Sequence, residues 1–373
     1  MAESTRLVDL VQSAIDDFLD DRAVELESIA KDLRPLVDYS RDLLRGGKRF
    51  RALFCYWGWQ AVRARPSELD PLGDDALAAD LDVIVRAASA LELFHAAALV
   101  HDDIMDNSDT RRGMSAAHRR FEERHREAGW VGDPAEFGRS SAMLLGDLLL
   151  SWSEQLFDLG LQRLESPSDG AAARTEFNRM RTEVMVGQYL DILEEQAWRG
   201  HDERELLPRA HRVIVYKSAK YSIEAPLAIG AALGGATESQ VASLRDFGLP
   251  LGIAYQLRDD LLGVFGDPDV TGKPSGDDLR EGKRTVLIAI ARSGLPTSAR
   301  RFLDEMLGDR ELDDSQVRML QAAIRDSGAV DQVERIIENN VTRARTALDS
   351  ADISPSAQRQ LLSLVETVTK RSA

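Results

Sequence analysis

Apolar residues recur at every third or fourth position along most of this chain, the spacing that places side chains on one face of an α-helix. One such stripe lies near the N-terminus and another near the C-terminus. They consist of Leu7, Leu10, Val11, Ala14, Ile15, Phe18 and Leu19, and of Ile336, Val341, Ala344 and Leu348. Alternating runs of β-branched and polar residues, which are typical of half-buried strands, are nearly absent. The pattern therefore predicts an all-α fold.

Turn-forming residues divide the helical pattern at several places. The clearest breaks are Arg65-Pro66-Ser67, Gly132-Asp133-Pro134, Ser166-Pro167-Ser168-Asp169-Gly170, Gly200-His201-Asp202 and Gly266-Asp267-Pro268. No internal repeat, low-complexity tract or long linker interrupts the pattern. We therefore expect one domain over residues 1–373, a single large bundle of ten or more helices. These helices must be long, because short ones could not bury so much surface around one core.

The composition is that of a globular protein with a strong acidic excess. Hydrophobic residues make up 43% of the 373 positions, and 63 acidic residues against 47 basic ones give a formal net charge of −16. This charge argues against nucleic acid or an anionic membrane surface as the main partner. An anionic substrate would need a local cluster of cations.

The cysteine content and the N-terminus favour a cytoplasmic protein. Cys55 is the single cysteine, which excludes an intrachain disulfide, and its neighbours in Phe54-Cys55-Tyr56-Trp57 predict a buried core thiol. The N-terminus has neither the basic nor the apolar region of a secretory signal. No uninterrupted apolar run approaches the roughly 18 residues that span a bilayer. We therefore expect no transmembrane segment.

Two short acidic clusters carry the strongest chemical signal. Each follows an apolar, helix-periodic run, so we expect its carboxylates to project from a helix end into a shared space. The clusters are His101-Asp102-Asp103-Ile104-Met105-Asp106 and Gln256-Leu257-Arg258-Asp259-Asp260-Leu261-Leu262-Gly263. On a helix, Asp102 and Asp106 lie one turn apart, roughly 6 Å along the axis, on the same ridge. Asp103 points away from that ridge, as a second ligand or a supporting group.

Paired carboxylates of this kind suit a hard cation. Mg²⁺ takes oxygen ligands, keeps several waters and is usually held by one or two carboxylates together with substrate phosphates. A solvated acidic face is the alternative for a single Asp-Asp pair in so acidic a chain. Two clusters, each backed by an apolar helix and flanked by basic residues, favour a metal site instead.

Basic residues accompany both clusters. Arg111-Arg112-Gly113 follows the first cluster, and adjacent guanidinium groups beside carboxylates favour a polyanion bridged by metal, although a surface pair would mean little. Earlier, Gly46-Gly47 ends one helix and Lys48-Arg49-Phe50-Arg51 opens the next, where free backbone N–H groups can cradle an anion. The Gly46-Gly47-Lys48 sequence could also do no more than end the first of these helices. Further cations are Lys217, Lys273 and Lys283.

Together these residues resemble the trans-isoprenyl diphosphate synthases of the polyprenyl synthetase family. The resemblance covers residues 46–285, and six motifs agree in order. They are Gly47-Lys48-Arg49-Phe50-Arg51, His95 ahead of Asp102-Asp103-Ile104-Met105-Asp106, Arg111-Arg112-Gly113, Gly187-Gln188-Tyr189-Leu190-Asp191, Lys217-Ser218, and Gln256 with Asp259-Asp260. The resemblance implies an isoprenoid synthase fold, in which the helices surround a central cavity, and a homodimer.

The resemblance also implies a role for each motif. Asp102 and Asp106 would ligate two Mg²⁺ ions and Asp259 a third, with Asp103 and Asp260 in support. An allylic diphosphate would lie on Arg111, Lys217 and Lys273, with Lys283 as a further cation nearby. Isopentenyl diphosphate would lie, without metal, on Lys48, Arg51, His95 and Arg112. Gln188 and Asp191 would line the wall of the pocket and contribute to the shell around the metal ions. A role in structural hydrogen bonds is an equal alternative for both.

The implied reaction is chain elongation. Metal ions and cations neutralise the leaving diphosphate, the allylic C–O bond ionises, and the double bond of isopentenyl diphosphate attacks the carbocation. The departing diphosphate then takes the proton. Ser218, Gln256 and the carbonyl of Lys217 would stabilise the cation by their dipoles.

Three positions depart from the family pattern. Gly263 stands where the second motif usually has its third Asp, so the third metal would be held more weakly, or Asp267 or Asp278 would help from the following loop. Ser218 replaces the commoner Thr and keeps the hydroxyl. Ser115 replaces a Pro, which we expect to alter the loop and not the chemistry.

Small residues before the first cluster bear on product length. Ala98 and Ala97 lie four and five residues before Asp102, where aromatic side chains would close the pocket in farnesyl-forming relatives. Phe94 lies one turn deeper, a gain of roughly 6 Å or about one isoprene unit. We therefore expect geranylgeranyl diphosphate, C20, as the main product.

Three other functions stay open at the level of the sequence. A longer polyprenyl product is possible, because the far wall of the pocket is not located. A class I terpene cyclase also uses Asp-rich helices and Mg²⁺, but it has no need for the second diphosphate site of Lys48, Arg51 and His95. A non-catalytic subunit of a heteromeric synthase is the third alternative, and Gly263 keeps it open.

Overall fold

The computed structural model describes residues 2–63, 73–267 and 275–369, and these residues are almost entirely helical. Two single turns of 3₁₀-helix, a π-helix at Ile214–Glu224 and a hairpin of strands β1 (Thr110–Arg111) and β2 (Met114–Ser115) complete the described chain. The helices are α1 Ala2–Ile29, α2 Arg34–Leu43, α3 Phe50–Val62, α4 Gly73–Met105, α5 Ala117–Glu127, α6 Pro134–Leu161, α7 Pro167–Ala197, α8 Glu203–Val213, α9 Ala225–Leu233, α10 Glu238–Phe265, α11 Asp277–Glu281, α12 Val286–Gly294, α13 Thr297–Met306, α14 Asp314–Asp326, α15 Ala329–Asp349 and α16 Pro355–Thr369.

The all-α prediction is confirmed, and the apolar stripes mark real helices. The N-terminal stripe lies in α1 and the C-terminal stripe in α15. Most predicted breaks also separate helices, at 132–133, 200–202 and 266–267, and Pro134 of the first break is the first residue of α6. Residues 65–67 and Pro268 lie outside the described residues.

One predicted break is partly wrong. Pro167 is the first residue of α7, so residues 167–170 form its first turn rather than a loop. The physical reason is that the first turn of a helix does not use the N–H that Pro lacks, while the fixed φ of Pro suits the helix.

The chain divides into two compact units. The first comprises Met1–Ala173 with Ile229–Gly235, and the second comprises Arg174–Ala228 with Ala236–Ala373. The expectation of one domain over residues 1–373 stays a prediction.

In the first unit, α4 is the central helix and packs on α1, α3 and α6. The contact with α6 is close because α6 carries small residues at intervals of seven, Gly146, Ser153 and Gly160. The Ser153 hydroxyl donates a hydrogen bond of 2.7 Å to the carbonyl of Ala90. A Cβ on Gly160 would approach the carbonyl oxygen of Val83 to 3.3 Å. This close packing holds the C-terminal end of α4, where the first acidic cluster lies.

The apolar character of α4 follows from its position. Asp80–Met105 is the one segment of the described residues with the length and composition to cross a membrane, and 78% of its most apolar window is buried inside the protein. Leu91, Leu93, Phe94 and Ala97 have no exposed surface.

In the second unit, α10 packs on α15 and on the π-helix. Gly248 and Gly252, one turn apart on α10, make the second contact possible. A Cβ on Gly248 would lie 2.9 Å from the Cα of Glu224, and one on Gly252 would lie 2.7 Å from the Cα of Ala219. Because no side chain separates the two backbones, the π-helix is held directly against the helix that carries the second acidic cluster.

Candidate functional site

The first acidic cluster closes the C-terminal end of α4. The N–H of Asp106 donates a hydrogen bond of 2.8 Å to the carbonyl of Asp102, so the two residues are one helical turn apart, as their spacing predicts. Both are half-buried. Two carboxylates on one ridge, partly open to solvent, suit a cation that keeps several water ligands.

Asp103 has a different environment from its neighbours. Its side chain is 1% exposed and forms an ion pair with Arg111, whose Nε donates a 2.9 Å hydrogen bond to Oδ1 and whose Nη2 contacts the same oxygen. Nη2 of Arg111 is also 3.7 Å from Oδ2 of Asp102. Asp103 therefore orients Arg111 beside the first cluster, which fits a supporting group better than a direct ligand.

The hairpin that follows presents Arg112. Arg112 and Gly113 form its two-residue turn with φ angles of 53° and 74°, which is the left-handed geometry of a type I′ turn. The Arg112 guanidinium donates a 3.0 Å hydrogen bond to the carbonyl of Leu43. A Cβ on Gly47 would lie 3.5 Å from Nη2 of Arg112, an ordinary contact distance, so the guanidinium lies directly beside this glycine.

The basic segment between α2 and α3 separates into two kinds of residue. Arg49 is 5% exposed, and its Nη1 lies 3.1 Å from Oε2 of the buried Glu92. Its Nη2 donates a 2.6 Å hydrogen bond to Gln12. Arg49 is therefore structural, whereas Lys48 is exposed and Arg51, in the first turn of α3, is half-buried.

His95 lies among guanidinium groups. Burial lowers the pKa of His95 well below 6.5, and the positive charges of Arg51, Arg112, Arg111 and Arg49 lower it further. Burial also lowers the pKa of Arg112, against the opposing charge of Glu92. A neutral imidazole surrounded by cations is a binding environment for a polyanion. The first unit therefore brings together His95, Arg51 and Arg112, three of the four residues predicted to hold isopentenyl diphosphate.

The second acidic cluster contains a buried carboxyl group. Asp260 is 5% exposed, and its Oδ1 accepts a 2.8 Å hydrogen bond from Nε2 of Gln256. Its Oδ2 is buried and accepts no hydrogen bond from any residue that the structure describes. Burial raises the pKa of Asp260 well above 3.8, and the charges of Asp278, Asp259 and Asp191 raise it further. Asp259 itself is exposed.

Gly263 lies directly beneath the carboxylate of Asp278. A Cβ built on Gly263 would collide with that group, with Oδ1 of Asp278 at 2.8 Å and the other carboxylate atoms closer still. Asp278 is half-buried on α11, whereas Asp267 is exposed just beyond the end of α10. The side chain absent from position 263 therefore leaves a space that another carboxylate fills.

Lys217 lies in the π-helix and forms an ion pair with Oδ2 of Asp191. A Cβ on Gly187 would lie 2.7 Å from the Cα of Lys217, so the absence of a side chain there lets α7 pack against the π-helix. Asp191, one turn further along α7, then reaches the ammonium group. Asp191 thus pairs with the ammonium group of Lys217, and Ser218, the residue after Lys217, is half-buried.

The remaining predicted site residues are placed as follows. Lys283 forms a 2.9 Å ion pair with Glu281. Lys273 lies outside the described residues. On α4, Phe94 and Ala97 are fully buried and Ala98 is half-buried.

The structure shows two features that sequence reasoning missed. The buried Arg49–Glu92 pair had no signal beyond an opposite charge far away in the sequence. The tight contact of Gly187 with the π-helix could have been suspected from the glycine within a long helical pattern.

The carboxylates suit a cation that is completed by its substrate. In the described part of the chain, no group of three or more His, Cys, Asp or Glu side chains converges on a common metal position. Mg²⁺ bound by one or two carboxylates, waters and phosphate oxygens requires no such cage. The orphaned Oδ2 of Asp260, under the negative charges of Asp259 and Asp278, fits an additional cation.

Comparison with known proteins agrees with this geometry. The polyprenyl synthetase family model matches residues 33–324. A geranylfarnesyl diphosphate synthase of Aeropyrum pernix is 31% identical over 281 residues, 75% of this chain and 80% of that protein. A geranylgeranyl diphosphate synthase of Methanosarcina mazei is 29% identical over 341 residues, 91% and 88% of the two chains. The crystal structure of a geranylgeranyl pyrophosphate synthase from Corynebacterium glutamicum, complexed with isoprenyl diphosphate and magnesium, superimposes with a TM-score of 0.89 at 36% identity and covers 98% of this chain and 99% of that one.

Proposed function

The chain belongs to the polyprenyl synthetase family, and we propose that this trans-prenyltransferase condenses isopentenyl diphosphate with dimethylallyl, geranyl or farnesyl diphosphate, in a Mg²⁺-dependent reaction. The main product that we propose is geranylgeranyl diphosphate. We further propose that the enzyme acts as a cytoplasmic homodimer.

One observation carries the proposal. The first unit holds a pair of carboxylates, Asp102 and Asp106, and also a group of cations around the neutral His95. Chain elongation needs both, because an allylic diphosphate that must ionise and an isopentenyl diphosphate that must stay intact bind at the same time. A terpene cyclase binds a single diphosphate and has no use for the group around His95.

The carboxylates would hold Mg²⁺ on the allylic diphosphate. Asp102 and Asp106 would bind two ions, and Asp259 with Asp260 a third. Bound Mg²⁺ supplies Lewis-acid charge that stabilises diphosphate as a leaving group. Asp103 holds Arg111 in place, so the guanidinium is already oriented to bind phosphate oxygens.

Further predicted residues would act on the allylic substrate. Lys217 and Lys273 would bind the allylic diphosphate, with Lys283 nearby. Ser218, Gln256 and the Lys217 carbonyl would stabilise the allylic carbocation as neutral dipoles. Neutral dipoles lower the energy of a cation without forming a covalent bond to it.

His95, Arg51, Arg112 and Lys48 would bind isopentenyl diphosphate. The lowered pKa of His95 keeps its imidazole neutral near pH 7, so the ring acts as a hydrogen-bond donor and the guanidinium groups supply the charge. Ala98, one turn before Asp102, leaves the path of the growing chain open. Phe94 would form the floor, which corresponds to a C20 product.

Purified protein incubated with Mg²⁺, isopentenyl diphosphate and farnesyl diphosphate tests the proposal. We expect a prenyl diphosphate one isoprene unit longer than farnesyl, measured by chromatography after phosphatase treatment. A cyclised hydrocarbon would establish a cyclase instead, and a protein that binds diphosphate without turnover would establish a non-catalytic subunit.

A pair of matched variants tests whether elongation depends on Asp102. We expect Asp102→Asn to abolish elongation while leaving the fold intact. Asp109→Asn removes the same charge from an exposed residue of the same segment, one that pairs with Arg119 at 2.7 Å, and should elongate like the unchanged protein. Equal activity of both variants would contradict the role of Asp102.

A further inference from the structure

A buried ion pair accompanies the group of cations around His95. Arg49 and Glu92 are each 5% exposed, and Nη1 of Arg49 lies 3.1 Å from Oε2 of Glu92. Arg49 stands between Lys48 and Arg51 in the sequence. Glu92 precedes His95 by three residues on α4, so the two side chains occupy neighbouring positions of one helix face. Both members of the pair therefore adjoin residues that we propose to bind isopentenyl diphosphate.

The backbone of Arg49 has an unfavourable conformation. Its φ of 50° and ψ of 38° lie in the left-handed region, which a residue with a Cβ adopts only when the surrounding structure compensates. The side chain provides this compensation. In addition to its ion pair with Glu92 of α4, its Nη2 contacts the carbonyl of Leu44, the residue after α2, and donates a 2.6 Å hydrogen bond to Gln12 of α1. One guanidinium thereby joins three helices around the turn that contains Lys48.

Glu92 also determines where α3 begins. Arg49 occupies the N-cap position of α3, where a Ser, Thr, Asp or Asn side chain normally accepts an N–H of the first turn. A guanidinium has no acceptor, and the carboxylate of Glu92 takes this role instead. Its Oε1 accepts a 3.4 Å hydrogen bond from the N–H of Ala52. Arg51 lies in the same first turn, so its position depends on the same carboxylate.

The end of α2 that binds Arg49 also binds Arg112. The Arg112 guanidinium donates its 3.0 Å hydrogen bond to the carbonyl of Leu43, and Arg49 contacts the carbonyl of Leu44. Carbonyls at the end of a helix carry partial negative charge and lack partners within the helix. A displacement of Arg49 would therefore move the helix end to which Arg112 is bound.

We infer that Arg49 and Glu92 are positioning residues of the isopentenyl diphosphate site. They do not bind the ligand, and they hold Lys48, Arg51 and Arg112 in the arrangement that binds a diphosphate group. Cations that are already in place bind an anion more tightly, because less conformational freedom is lost on binding. The inference rests on the proposed function for the identity of the ligand. It goes beyond that function in assigning a role to two buried residues behind the site.

The direct test is binding of isopentenyl diphosphate in a chelator, measured by isothermal titration calorimetry, because we propose that this site needs no metal. The double variant Arg49→Met/Glu92→Leu replaces the pair by apolar side chains. Such a replacement of a buried ion pair is close to neutral for stability, so the variant should unfold in urea near the midpoint of the unchanged protein. We expect its affinity for isopentenyl diphosphate to fall by about tenfold or more. Normal affinity in a stable double variant would overturn the inference.

A milder variant covers the case in which the double variant does not fold. Gln12→Ala removes only an acceptor of the Arg49 guanidinium and should weaken binding by about threefold. Gln155→Ala is the matched control, because Gln155 of α6 accepts a 3.3 Å hydrogen bond from Arg22 of α1 in an exposed pair. This control should bind isopentenyl diphosphate like the unchanged protein. Equal affinity of the two variants would contradict the role of the Arg49 side chain.

Steady-state elongation separates positioning from a general loss of structure. In the double variant, the KM for isopentenyl diphosphate should rise by about tenfold while the KM for farnesyl diphosphate stays within about twofold. An equal rise of both KM values would show that the pair only stabilises the fold, and would overturn the inference.

The inference and the proposed function can fail separately. If the unchanged protein elongates farnesyl diphosphate and the double variant binds isopentenyl diphosphate normally, the role of the pair is wrong and the proposed function stands. If binding of isopentenyl diphosphate depends on the pair but no prenyl substrate is elongated, the positioning role stands and the proposed function is wrong.

Discussion

Gly187 of α7 touches the backbone of Lys217 so closely that a Cβ on the glycine would lie 2.7 Å from the lysine Cα. Neither partner can yield, since both are helical backbone. We expect Gly187→Ala to lower the free energy of unfolding by about 2 kcal/mol, as overpacking does, and to reduce elongation by displacing Lys217 from Asp191. Urea unfolding and turnover measure the two effects.

Gly200 provides the control for this substitution. A Cβ there would meet nothing within 4 Å, so Gly200→Ala should change the free energy of unfolding by less than about 0.5 kcal/mol. Equal stability of Gly187→Ala and Gly200→Ala would show that the contact with the π-helix is not tight in solution.

The pH dependence of stability should report the neutral His95. Its pKa in the folded protein lies below 6.5, so below about pH 6.5 the unfolded chain binds a proton that the folded chain does not. The contribution of His95 to stability is therefore complete above pH 6.5 and is lost as the pH falls towards its folded pKa, by up to about 1.4 kcal/mol per pH unit. His95→Gln should unfold with a flatter dependence between pH 7.5 and 5.5, measured by urea denaturation. Parallel curves would contradict an imidazole that stays neutral in the folded protein.

The contribution of Asp260 to the pH dependence of stability should have the opposite sign to that of His95. Its folded pKa is raised above 3.8, so its contribution to stability is present below its ordinary pKa and is lost as the pH rises through the raised value. In metal-free protein at pH 8, Asp260→Asn should therefore be more stable than the unchanged protein by about 1 kcal/mol or more. The gain should vanish near pH 4. Thermal unfolding in a chelator at both pH values measures this, and a destabilised variant at pH 8 would contradict it.

The buried pair of Arg49 and Glu92 should contribute strongly to folding. Their side chains are 3% and 5% exposed, and loss of one partner leaves an uncompensated charge, at a cost of about 3 to 5 kcal/mol. We expect Glu92→Gln to show this loss in urea unfolding. Glu366→Gln breaks an exposed pair with Arg345, at 39% and 48% exposure, and should cost less than about 1 kcal/mol.

Product length should respond to a single side chain on α4. Ala98 is half-buried and lies one turn before Asp102, so Ala98→Phe should shorten the main product from C20 towards C15, measured by chromatography. Leu99→Phe places the same ring on the next residue, which is also half-buried and points about 100° further around the helix, and should leave the product unchanged. An unaltered product from Ala98→Phe would show that the floor lies elsewhere.

The sequence predicts the acidic clusters of this protein better than the buried residues that hold the neighbouring segments in place. Asp102 and Asp106 were predictable as a pair because helical periodicity alone places residues four apart on one ridge. The helices of the two apolar stripes were predictable for the same reason. Arg49 was not separable from Lys48 and Arg51, because its partners in the interior, Glu92 and Gln12, are distant in the sequence.

Two other features depend on contacts that no local pattern encodes. The π-helix of Ile214–Glu224 is packed against glycines of α7 and α10, which are distant from it in the sequence. The position of Asp278 depends on how α11 packs against the chain beyond α13. The sequence around Asp259-Asp260 shows only that position 263 has no side chain. Asp267 and Asp278 were therefore equal alternatives until the structure placed Asp278 against Gly263.

The overlap between Gly263 and Asp278 couples two positions on different helices, α10 and α11. The overlapping atoms are the end of a flexible side chain, so a change in the Asp278 rotamer can make room for a side chain at position 263. A mutation at position 263 would therefore change the orientation of the Asp278 carboxylate before it disturbed either helix.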